Sequence, residues 1–420
     1  MSAKSDVPTP PIGPIVQPYL LALFSVPFHV GNDGRRYLDP LWAKDLIEHT
    51  RYIESLTLAA PVRHGPLPPN AVAMDDMAAL RTIHRVELPA IDSHVGALRQ
   101  LPRLWRILWA ESGKAQLIHS GVAGWPLPEA WLLTPIAWLR RRVHYINVES
   151  AFWRLTPGEP ATRRRRLLAW VKERLNRWCV GSADLSTFTQ EGYRSSLLHR
   201  HRERGHVFEA SWIDADNILP PSQLDSTLRA RAAEVPLRMV FAGRLTNAKG
   251  VRLMMDAVLP LVRTGHAIEL DIYGDGPLAQ ECATLLGDPS LARRVRLRGS
   301  VPYDAAFFET LRGFHLLIVP TLSDEQPRIV FDAYSQGLPV LASDTAGMRQ
   351  CVEDGITGAF FTSGDVDALR DAIVHAAAHR TEWARMASAC VELARASTHQ
   401  EMHRKRWRLL VTTFPALARR

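Results

Sequence analysis

The chain has 420 residues, enough for two or three domains and a sizeable core. Hydrophobic residues make up 46% and charged residues 22%, a balance that excludes a largely disordered chain. The formal net charge of +8 favours acidic partners such as nucleotide phosphates or anionic lipid, whereas four scattered cysteines (Cys179, Cys282, Cys351, Cys390) fit a reducing, cytoplasmic setting rather than a disulfide scaffold.

The first 15 residues read as a Pro-rich tail. The apolar run "IVQPYLLALFSVPFHV" is broken by two prolines and is too short to span a bilayer. It also lacks the basic start and small-residue cleavage site of a signal peptide. It is expected to become a buried strand opening into a Gly-rich turn, with a helix from about Leu41. Further on, "AQLIHSG" and "VHYINVES" read as strands, and "LSTFTQEGYRSSLLHR" as a strand passing into a helix. Three segments carry tryptophan and arginine at helical spacing: 98–111, 131–144 and 163–178. Such helices suit an anionic membrane surface or a solvated face over a core stripe. No recognition motif supports nucleic-acid binding.

From residue 236 the pattern sharpens. "LRMVFAGR", "AIELDIYGDGP", "RRVRLRGSV", "HLLIVPTLS", "PVLASD" and "GAFFTSGD" read as strands, separated by helical segments such as "VRLMMDAVLPLVRTG". Continuous apolar strands alternating with helices predict a parallel sheet covered on both faces. The fold class is therefore α/β, with an N-terminal domain over 16–225, a second doubly wound domain over 226–385, and C-terminal helices over 386–420 packing back toward the first domain.

Ligands of doubly wound sheets bind beyond the carboxyl ends of the strands. Gly243, Arg244 and Lys249 occupy such a position, and two cations beside a helix start suit a diphosphate. Gly274 closes the next strand and would flank the same crevice. Asp324 follows an apolar strand and Asp332 lies eight residues on, inside a helix opened by Pro327. The amides of Arg328, Ile329 and Val330 would face a phosphate, and the two carboxylates vicinal hydroxyls of a sugar or ribose. The alternative is that Asp324 caps the helix and Asp332 is solvated.

Taken together, "GRLTNAKG", "YGDGP", "RLRGSVP", "PTLSDEQPRIVFDAYSQGLPVLASDTAG" and "VEDGITGAFF" resemble the donor half of the family 4 retaining glycosyltransferases. That family has the GT-B fold, two Rossmann-like domains facing across a cleft. The resemblance implies a nucleoside diphosphate sugar as donor and a glycan or lipid-linked glycan as acceptor, in polysaccharide or glycoconjugate synthesis. It implies that Arg244 and Lys249 neutralise the diphosphate, that Asp332 holds the ribose, and that Asp324 contacts the transferred sugar. Arg298 and Gly299 would edge the base, and the Gly31, Asn32, Gly34 loop would close over the diphosphate. No metal or other cofactor is implied by the resemblance. His119 and Glu149 are the first-domain candidates near the acceptor. The family carries glutamates where this chain has Asp324 and Asp332, which keeps a non-catalytic binding subunit open as an alternative; a nucleotide-sugar hydrolase or epimerase of the same two-domain kind is the other.

Overall fold

The structure, a computed structural model, describes residues 13–124, 126–155, 161–233 and 236–419. Most of the expected Pro-rich tail lies outside the described residues. At its end, Ile15 is buried and its amide donates to the Tyr52 carbonyl.

The body of the first domain is a parallel sheet of Tyr19–Ala22, Leu56–His64, His84–Leu88, Leu117–Gly121, Val143–Val148, Leu185–Phe188 and Gly205–Val207. Numbered in chain order, these strands lie 3-2-1-4-5-6-7 across the sheet. Side chains alternate as a strand dictates. Tyr19 and Leu21 join a core on one face, which the helix Pro40–Thr50 and the C-terminal helix His399–Thr413 help cover. Leu20 and Ala22 join a core on the other face, under the helices His94–Lys114 and Glu129–Arg140; Arg163–Ser182 packs beside them.

The second domain is also parallel: Leu237–Ala242, Ile268–Tyr273, Val295–Gly299, Leu316–Val319, Val340–Ser343 and Gly358–Phe361, in the order 3-2-1-4-5-6. This is a Rossmann-type order, with its switch point between the first and fourth strands. The expectation of two Rossmann-like domains facing across a cleft holds.

Three details differ from the sequence reading. The Gly-rich turn does not lead straight into a helix. Phe28–Val30 and Arg36–Leu38 form an antiparallel hairpin attached to the end of Leu56–His64, and Gly31–Gly34 is its tip. The helix Pro221–Ala233 packs on the second domain, where Arg231 donates to the carbonyls of Arg312, Gln336 and Gly337. The expected boundary at 225/226 thus falls inside that helix, and the chain crosses earlier, since Ile213 and Ile218 already sit in the second core. Finally, the helix Arg380–Ala396 stays with the second domain through Cys390, Val391 and Ala394. His399–Thr413 and the short turn Pro415–Ala418 return to the first, for Leu410 and Leu417 belong to its core.

Candidate active site

At the second-domain switch point, two loops face one another. The turn Asn247–Lys249 ends at Gly250, whose φ of +71° and close approach to the Pro320 carbonyl leave no room for a Cβ. Leu322 donates to the Ala248 carbonyl at 2.9 Å, and Lys249 Nζ meets Glu325 Oε2 at 2.7 Å. Arg244, on the same loop, is exposed and has no ion pair among the described residues. Gly274, with φ +134°, abuts the Gly243 carbonyl.

The loop 320–328 and the helix Ile329–Ser335 separate two cavities. The smaller, about 230 Å³, belongs to the second domain and is lined by Gly243, Gly274, Ser300, Tyr303, Ile329 and Asp332, among others. Asp332 is 5% exposed and its Oδ1 accepts the Tyr303 hydroxyl at 2.7 Å. Burial pushes its carboxyl up to about 7, although the Tyr303 bond and Arg328 act the other way. The larger cavity, about 330 Å³, lies between the domains. Glu325, Gln326 and Arg328 reach it from the second domain, and from the first come His119, Asn147 and Glu149 at two strands and Glu129 at a helix start.

The cleft is pinned by direct bonds. Gln190 donates to the Asp324 carbonyl, and the Ala210 amide to Gln326 Oε1 at 2.8 Å. The Arg328 guanidinium lies 5.0 Å from the centre of the Trp212 ring, which stacks on His399.

Beneath the cavity lies a buried polar floor. Asp45 Oδ1 accepts from His399 Nε2 at 3.2 Å and from His403 Nε2 at 3.0 Å. Arg406 approaches His49 Nε2 at 3.3 Å. Asp45, His49 and His403 have the donor types of a metal site. They are already satisfied by one another, and the adjacent buried guanidinium opposes a divalent cation. The His119 Nδ1 lies 2.9 Å from the Tyr19 hydroxyl, and burial holds the imidazole well below its usual range, hence neutral. Burial likewise raises Glu149, whose Oε1 accepts Asn147 Nδ2 at 3.0 Å.

The expected residues distribute as follows. Arg244 and Lys249 stand at the switch-point loop, Gly243, Gly274, Ile329 and Asp332 line the second-domain cavity, and His119, Glu149 and Arg328 line the interdomain one. Asp324 is exposed beside them, whereas its neighbour Glu325 faces the cavity. The Val330 amide donates to the Pro327 carbonyl at 3.2 Å, so it does not face a ligand. Arg298 is turned to Asp271 at 2.9 Å and the Gly299 carbonyl accepts the Gly274 amide, leaving Ser300, Val301 and Pro302 at the cavity edge. Gly31, Asn32 and Gly34, on the hairpin tip, line neither cavity. The sequence reading missed Glu129, Glu325, Tyr303 and Arg406. The adjacent Asp324–Glu325 pair was the one local signal; Arg406 enters from a helix far along the chain.

Residues 236–379 match the sequence profile of the family described as "Glycosyl transferases group 1". This stretch, about a third of the chain, is similar to a group 1 glycosyl transferase domain. An alpha-D-kanosaminyltransferase of Streptomyces kanamyceticus is 26% identical over 158 residues, covering 36% of this chain and 40% of that protein. A D-inositol 3-phosphate glycosyltransferase of Paenarthrobacter aurescens is 24% identical over 345 residues, 78% of this chain and 80% of the relative. The Anabaena protein HepE, solved in complex with UDP, superposes with a TM-score of 0.66 at 15% identity, over 94% of this chain and 100% of its own. At that identity the likeness shows the fold alone, GT-B, over the part of the chain it covers. The matched residues contain both switch-point loops and the cavity around Asp332.

Proposed function

We propose that the chain transfers a sugar, a hexose, from a nucleoside diphosphate sugar to a hydroxyl of a glycan or lipid-linked glycan, with retention at the anomeric carbon. The observation that carries this reading is the loop 320–328 with its helix, which separates the second-domain cavity from the interdomain one. A donor with its nucleoside against Asp332 and its diphosphate at the switch point would present its sugar toward Glu325 and the first-domain strand ends. In the transfer, the bond from the anomeric carbon to the diphosphate breaks and a bond to the acceptor oxygen forms on the same face. The acceptor proton passes to the departing phosphate. Arg244 and Lys249 take up the charge that develops on the leaving group, and no resident metal is invoked.

HepE was solved with UDP, which favours a uridine donor. We further place the enzyme in the cytoplasm at an anionic membrane face. Four free, buried cysteines and the exposed Trp/Arg helices of the first domain support this. A second reading, a nucleotide-binding subunit without transfer, draws on the Tyr303 hydroxyl that already occupies Asp332. Calorimetry with UDP, GDP and ADP, followed by NMR of the product anomer with and without acceptors, tests the proposal. Nucleotide binding without transfer to any acceptor would favour the second reading, and free sugar as sole product a hydrolase.

A further inference from the structure

Glu129 opens the helix Glu129–Arg140, on the loop that follows the strand Leu117–Gly121 at the first-domain switch point. It is 3% exposed and lines the interdomain cavity. Its Oε1 accepts the Phe24 amide at 3.3 Å, while its Oε2 is buried with no hydrogen-bond partner among the described residues. The recess is shaped by glycines. A Cβ on Gly124 would lie 2.5 Å from Oε2, and one on Gly121 3.8 Å from Oε1. A buried carboxylate oxygen left without a donor is costly, so the recess is built for something that arrives.

The other acids of the cavity have their charge answered. Asp45 is bonded by His399 and His403, Glu325 holds Lys249, and Glu149 accepts Asn147 and feels the Arg328 charge. Glu129 is different. The one charged group that acts on it is Glu149, of the same sign, and burial with that repulsion pushes its carboxyl up to about 7. A neutral hydroxyl would answer the missing hydrogen bond but leave the two carboxyls opposed. An ammonium answers both.

We propose that Glu129, with Glu149, forms a subsite for a protonated amine, so that the acceptor is an amino sugar. This rests on reading the interdomain cavity as the acceptor site. Gly124 is the residue that makes room for the carboxylate, and Glu149 shares the incoming charge. Hydrogen bonds in which one partner is ionised are about twice as strong as neutral ones, so the preference over a hydroxyl should be about ten- to a hundredfold.

Ligand-observed NMR titration of the full chain with UDP present gives the test. The probes are glucosamine, galactosamine and mannosamine, each against its parent hexose and its N-acetyl derivative. The wild type is expected to bind at least one free amine about tenfold more tightly than both counterparts. Glu129→Gln should erase that preference and leave UDP affinity unchanged. Gly124→Ala, which displaces the carboxylate, should weaken amine binding in the same direction, and it decides the matter if the first variant fails to fold. Equal binding of amine and parent by the wild type, or a preference that survives both substitutions, overturns the proposal. A wild type that binds amines but no UDP, GDP or ADP would strike the transferase reading and leave the amine subsite standing.

Discussion

Lys249 Nζ lies 2.7 Å from Glu325 Oε2, and this pair joins the two loops on either side of the second-domain switch point. Both side chains remain about a third exposed, so the pair adds little to stability. Its consequence is positional: a cation is held at the switch-point crevice that we propose takes the donor. Arg244, on the same loop, has no such partner among the described residues.

From this we expect Lys249→Ala and Arg244→Ala to fold with near-wild-type melting temperatures. Each should lose transfer by about a hundredfold, the scale of removing one charged contact to a transition state. Steady-state rates alongside a melting curve separate the two effects. Wild-type transfer by both variants would remove these residues from the leaving-group site.

The Asp332 carboxyl titrates at about 7 in the folded chain because it is buried, against about 4 when unfolded. The folded state therefore holds its proton more tightly. The resulting stabilisation is complete below about pH 4 and is lost as pH rises through about 7. Asp332→Asn removes the charge and keeps an acceptor for the Tyr303 hydroxyl. The variant should melt above the wild type at pH 8, by on the order of 2 kcal/mol, and approach it at pH 4. On the proposed donor placement its affinity for UDP should also fall, since a ribose there would lose an ionised acceptor. Parallel melting profiles at both pH values would contradict the burial argument.

Gly250 is where the two switch-point loops touch. Alanine there meets both a left-handed φ and the Pro320 carbonyl. We expect Gly250→Ala to cost about 2 kcal/mol or more and to push the Lys249 loop off the crevice. Nucleotide affinity should fall even where the variant is still fully folded. Gly265→Ala is the control: φ is +87° and its Cβ meets open space, so it should cost stability and spare affinity.

The second domain was legible because its strands are buried on both faces and read as apolar runs between helices. Gly243 and Gly274 could be placed at strand ends, and Asp332 in the helix after the fourth strand, from that pattern. The first domain was harder. Leu56–His64 carries Pro61 inside a strand and ends polar, so nothing in its composition marked it. Gly31–Gly34 has the chemistry of a ligand loop and is a hairpin tip, because a turn between two strands needs the same residues. The acids divided by facing: Asp324 lay on the expected spacing, yet Glu325 turns into the cavity, which a one-residue difference on a loop conceals. Arg406 and Glu129 owe their positions to tertiary packing alone.

The last prediction concerns the outer face of the first domain. The helices His94–Lys114, Glu129–Arg140 and Arg163–Ser182 pack side by side, and their inner residues cover the sheet. On these helices Leu98, Trp138 and Trp170 are exposed by 72%, 77% and 61%. Arginines lie among them, including Arg103, Arg106, Arg141, Arg164 and Arg174. Exposed tryptophan costs free energy in water, and interleaved arginine is what an anionic lipid surface attracts. No helix among the described residues is long and apolar enough to cross a membrane, so contact here would be at the surface. In flotation, the protein should bind vesicles containing phosphatidylglycerol and not those of phosphatidylcholine alone, and high salt should weaken it by screening. Replacing Trp138 and Trp170 together by alanine should reduce binding several-fold without lowering the melting temperature, because neither side chain is in the core. Retained binding in that variant would mean that charge alone carries the contact, and equal absence from both vesicle types would remove the membrane from this protein's setting.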